Sequence, residues 1–140
     1  MSEVLKFHFE VDGENFSSAG EASVIMKKKL RQLGFSPDVM RRVSIAMYEG
    51  EINMVIHAGG GEADVIVFED CIKIVLADKG PGIANVEMAM KEGFSTAPDN
   101  IRSLGFGAGM GLPNMKRYTD SMEIESELGK GTTITMTVKL

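Results

Sequence analysis

The chain has 140 residues, the size of one domain that can bury a substantial core. Its formal net charge of −5 argues against a general nucleic-acid binder, because phosphate contacts require a basic face. The single cysteine, Cys71, excludes an internal disulfide and any site built on a Cys-x-x-Cys pair. No apolar run reaches membrane-spanning length and no N-terminal signal pattern is present, so we expect a cytoplasmic protein with neither nucleic acid nor membrane as partner.

The first two predicted elements are a strand and an amphipathic helix. Apolar and polar residues alternate from Leu5 to Val11, which is the period of a half-buried strand. A helix is predicted over residues 17 or 18 to 33, with an apolar stripe formed by Ala22, Ile25, Met26, Leu30 and Leu33. Its basic residues are Lys27, Lys28, Lys29 and Arg31. We interpret this basic run as the solvated side of the helix, with contact to an acidic partner as the alternative.

The central element is a long helix with a strong start signal. Ser36–Asp38 supplies a serine N-cap, a proline at the first helical position and an acid facing the helix dipole, and glycines at 59–61 end the helix. Four residues make about one turn, so Glu49, Asn53 and His57 stack on one face. Such a face can hold a divalent cation through an oxygen and leave a carboxylate free as a base. Taken alone, polar residues at this spacing more often form a solvated helix face, and that interpretation is favoured.

Two other titratable residues are predicted to lie outside any site. His8 falls on the polar side of the first strand and is interpreted as a surface residue. Glu51 is two residues from Glu49 and therefore points to another side of the helix. We interpret it as solvated or paired with a nearby base, and not as catalytic.

A hairpin with strands over residues 64–68 and 71–77 precedes the segment Asp78-Lys79-Gly80-Pro81-Gly82. A carboxylate directly after such an apolar run is tolerable only where it has hydrogen-bond donors. In isolation the segment is typical of a plain strand-ending turn. Strands over residues 122–128 and 133–138, preceded by a short helix at 112–119, complete the predicted sheet.

Glycines occupy every second position at 105, 107, 109 and 111. No stable helix or strand favours that spacing, whereas a loop whose backbone N–H groups converge on an anion can use it. The sequence lacks G-x-x-x-x-G-K-[ST], which excludes a P-loop, and the late position of the run argues against a dinucleotide loop. Absence of H-R-D and D-F-G excludes the eukaryotic-type kinase fold.

Taken in order, these elements resemble the signature of the GHKL ATP-binding superfamily, the histidine kinase-like ATPases. E-x-x-x-N is followed by D-x-G-x-G, then by G-x-G and finally by G-T at Gly131-Thr132. The resemblance covers nearly the whole chain and implies one domain over residues 1–140. It implies the Bergerat fold, an α/β two-layer sandwich with a mixed, mostly antiparallel sheet and helices on one face. It also implies ATP and Mg²⁺ as cofactors.

The resemblance assigns a role to each matching residue. It implies Glu49 as the catalytic base, Asn53 as the Mg²⁺ ligand and Asp78 as the acceptor of the adenine amino group. Thr132 would support the adenine site, although an ordinary strand threonine is the alternative. The other implied nucleotide contacts are His57, Gly80, Gly82, the lid arginine Arg102, Gly105, Gly107, Gly109, Met110, Gly111 and Leu112.

Within the superfamily the chain is similar to bacterial anti-sigma factors that are also serine kinases. Histidine kinases commonly carry asparagine at the position of Glu49, and a carboxylate there favours transfer to a serine hydroxyl or hydrolysis, since both nucleophiles benefit from a base. The implied partners are a sigma factor and an antagonist protein of the STAS type. A homodimer is also implied, although no apolar strip in the sequence demands one. The alternatives are an ATP-gated protein-binding module and a weak ATPase without kinase activity. Gly50 and Met54 depart from the family pattern and favour a distinct subfamily.

Overall fold

The computed structural model describes residues 3–14, 19–83, 86–90 and 111–140. Within these ranges the strands are β1 (Glu3–Asp12), β2 (Gly60–Phe68), β3 (Cys71–Asp78), β4 (Ser121–Glu127) and β5 (Gly131–Lys139). The helices are α1 (Glu21–Gln32), α2 (Pro37–Ala58), α3 (Val86–Ala89) and α4 (Gly111–Arg117). None of the helices in the described ranges is long and apolar enough to cross a membrane.

The strands form one sheet in the order β1-β2-β3-β5-β4, and each neighbouring pair is antiparallel. The predicted α/β sandwich with a mostly antiparallel sheet is therefore confirmed. A mixed sheet would also contain a parallel pair of strands, and none is found among the described strands.

The core lies between one face of the sheet and helices α1, α2 and α4. Burial alternates along β5, where Ile134, Met136 and Val138 point into the core and the threonines between them are half-buried. The same alternation buries Val65 in β2 and Ile74 in β3. This two-residue period is why the apolar side chains form one continuous face for the helices to cover.

Helix α2 begins and ends where the sequence predicts. Ser36 is the N-cap and its hydroxyl accepts a hydrogen bond from the Val39 N–H at 3.2 Å. Gly59 ends the helix in the left-handed region, with a φ of 72°. Such an end favours glycine because a Cβ is strained there.

Helix α1 begins later than predicted. It starts at Glu21, because Gly20 before it has a left-handed φ of 95°, which is not a helical conformation. The predicted starting residues 17 and 18 lie outside the described residues. Ala22, Met26 and Leu30 are buried as predicted, and the basic run is exposed. The prediction was wrong for Ile25 and Leu33, which are 45% and 47% exposed, because the buried row repeats every four residues and leaves them outside it.

The interpretation of Glu51 as solvated or paired with a base was also wrong. Glu51 is only 2% exposed, and its carboxylate accepts backbone N–H bonds from Gly20 at 3.0 Å, Ala22 at 3.2 Å and Ser23 at 2.7 Å. Gly20 has no side chain to cap α1, so a carboxylate from α2 satisfies the first N–H groups of α1. Burial raises the pKa of Glu51 above its ordinary value, and these backbone hydrogen bonds partly offset the rise.

Candidate functional site

Glu49 and Asn53 lie one turn apart on α2 and face the start of α4. Both side chains are half-buried. A Cβ built on Gly111, the last glycine of the run, would lie 3.9 Å from Glu49 Oε2 and 3.9 Å from Asn53 Oδ1. The structure thus brings together a carboxylate, an amide oxygen and the end of the glycine run.

Asn114 supports this group from α4, and sequence reasoning missed it. Its Nδ2 donates to Glu49 Oε1 at 3.3 Å, and Arg117 Nη1 donates to Asn114 Oδ1 at 3.3 Å. Arg117 is nevertheless exposed, as is Lys116. Asn114 stands three positions after Gly111, a spacing that places the two on one helix face, but only the packing of α4 on α2 reveals what that face meets.

His57 lies one turn beyond Asn53 on α2 and is half-buried. Burial lowers the pKa of its imidazole below the ordinary histidine value.

Asp78 stands at the end of β3, directly opposite Thr132 in the ladder with β5. Its Oδ1 accepts hydrogen bonds from the Gly80 N–H at 2.9 Å and the Thr132 N–H at 3.2 Å. The donors that a half-buried carboxylate needs are thus present. Both bonds go to Oδ1, so within the described residues Oδ2 keeps its capacity to accept a hydrogen bond from a ligand.

Ser126 on β4 links the adenine candidates to the following turn, and it too was missed from the sequence. Its hydroxyl is hydrogen-bonded to Thr132 Oγ1 at 2.8 Å and accepts from the Ile83 N–H at 2.7 Å. Ser126 is the register partner of Thr132, which is 7% exposed. The period-two pattern of β4 indicates which face Ser126 occupies, but the pairing register with β5 is needed to see the contact.

Gly80 and Gly82 are required by close packing of the protein itself. A Cβ on Gly80 would lie 2.6 Å from the Cβ of Ala58 at the end of α2. Gly82 has a φ of 82°, and a Cβ there would lie 2.5 Å from the Glu127 carbonyl oxygen. The absence of a side chain at Gly80 lets the turn after Asp78 approach the end of the helix that carries Glu49 and Asn53. The sequence-based reason, approach to a flat base, stays a prediction.

The two departures from the family pattern have packing partners. A Cβ on Gly50 would lie 2.0 Å from Leu76 Cδ1, so glycine lets α2 approach β3. Met54 faces Gly61, where a Cβ would lie 2.8 Å from the Met54 sulfur. The larger Met54 side chain is therefore accommodated by a glycine in β2.

The remaining predicted contacts divide into two groups. Leu112 is buried in the core, which leaves only its backbone to face a ligand. The others, Arg102, Gly105, Gly107, Gly109 and Met110, lie outside the described residues.

His8 lies on the exposed sheet face away from this site, as predicted for a surface residue. It is ion-paired with Asp64 at 2.6 Å and Glu10 at 3.0 Å, and hydrogen bonds to Glu10 and Asp64 raise the pKa of its imidazole. Exposed groups of this kind are ordinary surface ion pairs.

Comparison with known proteins identifies the family of this chain. Residues 38–140 match the family model described as histidine kinase-, DNA gyrase B- and HSP90-like ATPase. The serine/threonine-protein kinase RsbT of Bacillus subtilis is 33% identical over 108 residues, covering 74% of this chain and 75% of that protein. An anti-sigma F factor of Clostridium acetobutylicum is 33% identical over 140 residues, covering 96% of this chain and 91% of that protein.

A solved structure shares the fold. The RsbU and RsbW domains of a Mycobacterium tuberculosis protein match 98% of this chain with a TM-score of 0.67 at 15% identity. The chain spans 33% of that longer protein. The likeness confirms the fold, in which helices cover an antiparallel sheet.

Proposed function

Because the chain belongs to the histidine kinase-, DNA gyrase B- and HSP90-like ATPase family, we propose that it is an ATP-dependent protein serine kinase of the anti-sigma type. It transfers the γ-phosphate of ATP to a serine hydroxyl of a partner protein. The observation that carries this proposal is the Glu49 carboxylate, placed with Asn53 beside Gly111 and held by Asn114. The names of the relatives support the same reading, since they include a serine/threonine-protein kinase and anti-sigma F factors.

The adenine end of the proposed nucleotide site is Asp78 with Thr132. Two backbone N–H groups fix Asp78 Oδ1, which leaves Oδ2 oriented by the same carboxylate plane and able to accept from an adenine amino group. Ser126 holds the Thr132 hydroxyl and the Ile83 backbone together, which keeps this end of the site rigid before a ligand arrives. The residues present therefore fit an adenine base.

The phosphate end is formed by Asn53, Glu49 and the glycine run. Amide and carboxylate oxygens are ligands that Mg²⁺ takes in proteins, so the Asn53 oxygen fits the proposed metal position. Mg²⁺, when bound with ATP, would neutralise part of the phosphate charge. The glycines from 105 to 111, Arg102 and His57 complete the proposed phosphate site.

Glu49 is the proposed general base. Its carboxylate takes the proton from the serine hydroxyl as the hydroxyl oxygen bonds to the γ-phosphorus, and the bond to the leaving ADP oxygen breaks. The Asn114 N–H at Oε1 holds the carboxylate in one orientation, and among the described residues no hydrogen bond occupies Oε2, which can face the hydroxyl. The same carboxylate could activate water, so ATP hydrolysis is the expected slow side reaction.

The proposed partners follow from the relatives' names and the resemblance. A sigma factor is one, and an antagonist of the STAS type, phosphorylated on serine, is the other. The protein is proposed to act in the cytoplasm, and a homodimer is part of the proposal. One domain over residues 1–140 carries the activity.

The test is a pull-down from the source cell with tagged protein and Mg-ATP, run with wild type and Glu49→Ala. Phosphopeptide analysis of the captured proteins should find a partner phosphorylated on serine only with wild type. A partner captured equally by both proteins and carrying no phosphate would contradict the kinase and point to an ATP-gated binding module. Lack of any heat with Mg-ATP in calorimetry would contradict nucleotide binding itself.

A further inference from the structure

An exposed apolar patch lies where α1 meets the middle of α2. Val24 is 57% exposed, Ile25 45% and Tyr48 42%, and together they line an open pocket. The Tyr48 ring packs over the backbone of Gly20, where a Cβ would lie 2.7 Å from Tyr48 Cε1. The ring is thus held on one side and presented to solvent on the other. Large apolar side chains grouped in this way mark interaction sites more often than scattered ones do.

The patch continues into the basic end of α1. Lys28 is one turn beyond Val24, and Lys29 is one turn beyond Ile25. These two lysines, with Lys27 and Arg31, are exposed, and no carboxylate of the described residues lies within ion-pair distance of them. The chain carries a net charge of −5, so this cluster is a local positive surface on an acidic protein.

The position of the patch is also fixed by hydrogen bonds between α1 and α2. The three N–H bonds to Glu51 fix the first turn of α1 against α2, so Val24, Ile25 and Tyr48 keep their relative positions. A preorganised surface loses less conformational entropy on binding. Gly20 at the N-cap of α1 has no side chain, so the hydrogen bonds that fix the first turn of α1 come from Glu51.

We propose that this surface, defined as Val24, Ile25, Lys28, Lys29 and Tyr48 and named the α1 face, docks an acidic amphipathic helix of a partner protein. The apolar stripe of that helix lies on Val24, Ile25 and Tyr48, and tyrosine is among the residues that most often dominate binding energy. Its carboxylates lie over Lys28 and Lys29. Glu21 at the other end of the patch repels acid there, so the acidic end of the partner points toward the C-terminus of α1.

A protein partner fits this surface better than a lipid bilayer does. Interfacial membrane helices bury a long apolar face, whereas the α1 face offers three large apolar side chains. The net negative charge of the chain also opposes approach to an anionic membrane. The docking does not depend on phosphate transfer by Glu49, so binding can be measured without activity.

The test uses the full chain and a fluorescein-labelled helical peptide of 20 residues, with leucines at i, i+3, i+4 and i+7 and glutamates on the flanking positions. We expect saturable binding by anisotropy, weakened about tenfold or more in Ile25→Ser and in Lys28→Glu, since both remove central contacts. Ile25 and Lys28 are exposed, so these variants should keep the wild-type circular dichroism and melting temperature. The matched controls are Leu128→Ser, at a residue that is 64% exposed, and Lys6→Glu on β1; both should bind as wild type does.

A charge-exchange experiment distinguishes specific docking from nonspecific binding of the peptide. Lys28→Glu should regain affinity for the same peptide with lysines in place of glutamates, because the ion pairs are then reversed. No binding of either peptide, or equal losses in the variants and the controls, would overturn the proposal. Binding to vesicles of phosphatidylcholine and phosphatidylserine that Ile25→Ser abolishes, with no binding of the peptide, would overturn it in favour of a membrane. Since the proposed kinase site is tested by Glu49 variants, failure of either proposal leaves the other measurable.

Discussion

Asn114 of α4 donates a hydrogen bond to Glu49 of α2 at 3.3 Å, and this bond joins the short helix after the glycine run to the helix that carries the proposed base. Asn114 also accepts from Arg117 at 3.3 Å, which fixes the orientation of its amide. Because Arg117 binds the amide oxygen of Asn114, the amide nitrogen of Asn114 is directed at the Glu49 carboxylate.

We predict that Asn114→Ala lowers phosphate transfer about tenfold, because one hydrogen bond to a charged group contributes roughly 1.5 kcal/mol. ATP affinity should change little, since Asn114 is not proposed to touch the nucleotide. Single-turnover rates and calorimetric Kd values distinguish the two effects, with the exposed Lys116→Ala in the same helix as control. A loss of ATP affinity as large as the loss of rate would show that Asn114 acts on binding instead.

Asp78→Asn should weaken ATP binding and shift the preference toward GTP. The asparagine oxygen can still accept from the Gly80 and Thr132 N–H groups, which directs its NH₂ to the place of Oδ2. That NH₂ is a donor, so it cannot accept a hydrogen bond from the adenine amino group, but it can donate one to the carbonyl oxygen of guanine. Calorimetry with Mg-ATP and Mg-GTP measures the ratio of affinities, and unchanged heats for ATP would remove Asp78 from the adenine site.

Glu51→Ala should destabilise the fold by about 2–4 kcal/mol, because it leaves three buried N–H groups without their acceptor. Urea unfolding followed by circular dichroism gives the free energy. Glu21→Ala, at an exposed acid in the first turn of α1, is the control and should cost less than about 1 kcal/mol. Equal losses in the two variants would mean that Glu51 does not hold the start of α1.

The pH dependence of stability should carry the signature of Glu51. Its pKa is raised in the folded protein, so between the ordinary value of 4.5 and that raised value the folded state binds more protons than the unfolded state. The contribution of Glu51 is therefore fully present below the ordinary value and falls as the pH rises through the folded pKa. The free energy of unfolding of wild type minus that of Glu51→Gln should decrease across this window. A difference that rises with pH would contradict the direction of the shift.

Several elements could be predicted from local sequence because their signals are local. Ser36 and Pro37 mark the start of α2, and two-residue alternation places β5, whatever the rest of the chain does. Ile25 and Glu51 were misjudged for a different reason. Whether each is buried depends on how α1 crosses α2. Gly20 has no side chain that could cap α1, so the first N–H groups of α1 bind the Glu51 carboxylate instead.

In the candidate site, too, some residues could be predicted from local sequence and others could not. Glu49, Asn53 and Asp78 stand in recognisable motifs, so the sequence identifies them. Asn114 and Ser126 act through contacts set by helix packing and strand register, which no short motif encodes. The fit of Met54 to Gly61 is likewise visible only when β2 lies beside α2.

Gly50→Ala reverses the usual effect of that substitution. Alanine in a helix is ordinarily more stable than glycine by about 1 kcal/mol, but a Cβ here would lie 2.0 Å from Leu76 Cδ1. We expect a net loss of about 1–3 kcal/mol from overpacking. Leu76→Val removes the Cδ atoms, so the double variant should lose less than the sum of the two single variants. Additive losses in denaturant unfolding would show that this contact does not limit packing.

The most direct test of the central claim is the rate of phosphate transfer from labelled ATP to the serine of the captured partner, measured for wild type and Glu49→Gln with ATP affinity determined on the same samples. If Glu49 is the base, transfer falls about 10²- to 10⁴-fold in Glu49→Gln while the Kd for Mg-ATP stays within about threefold of wild type. Transfer at the wild-type rate by Glu49→Gln, with ATP bound normally, would contradict the assignment of Glu49 as the catalytic base.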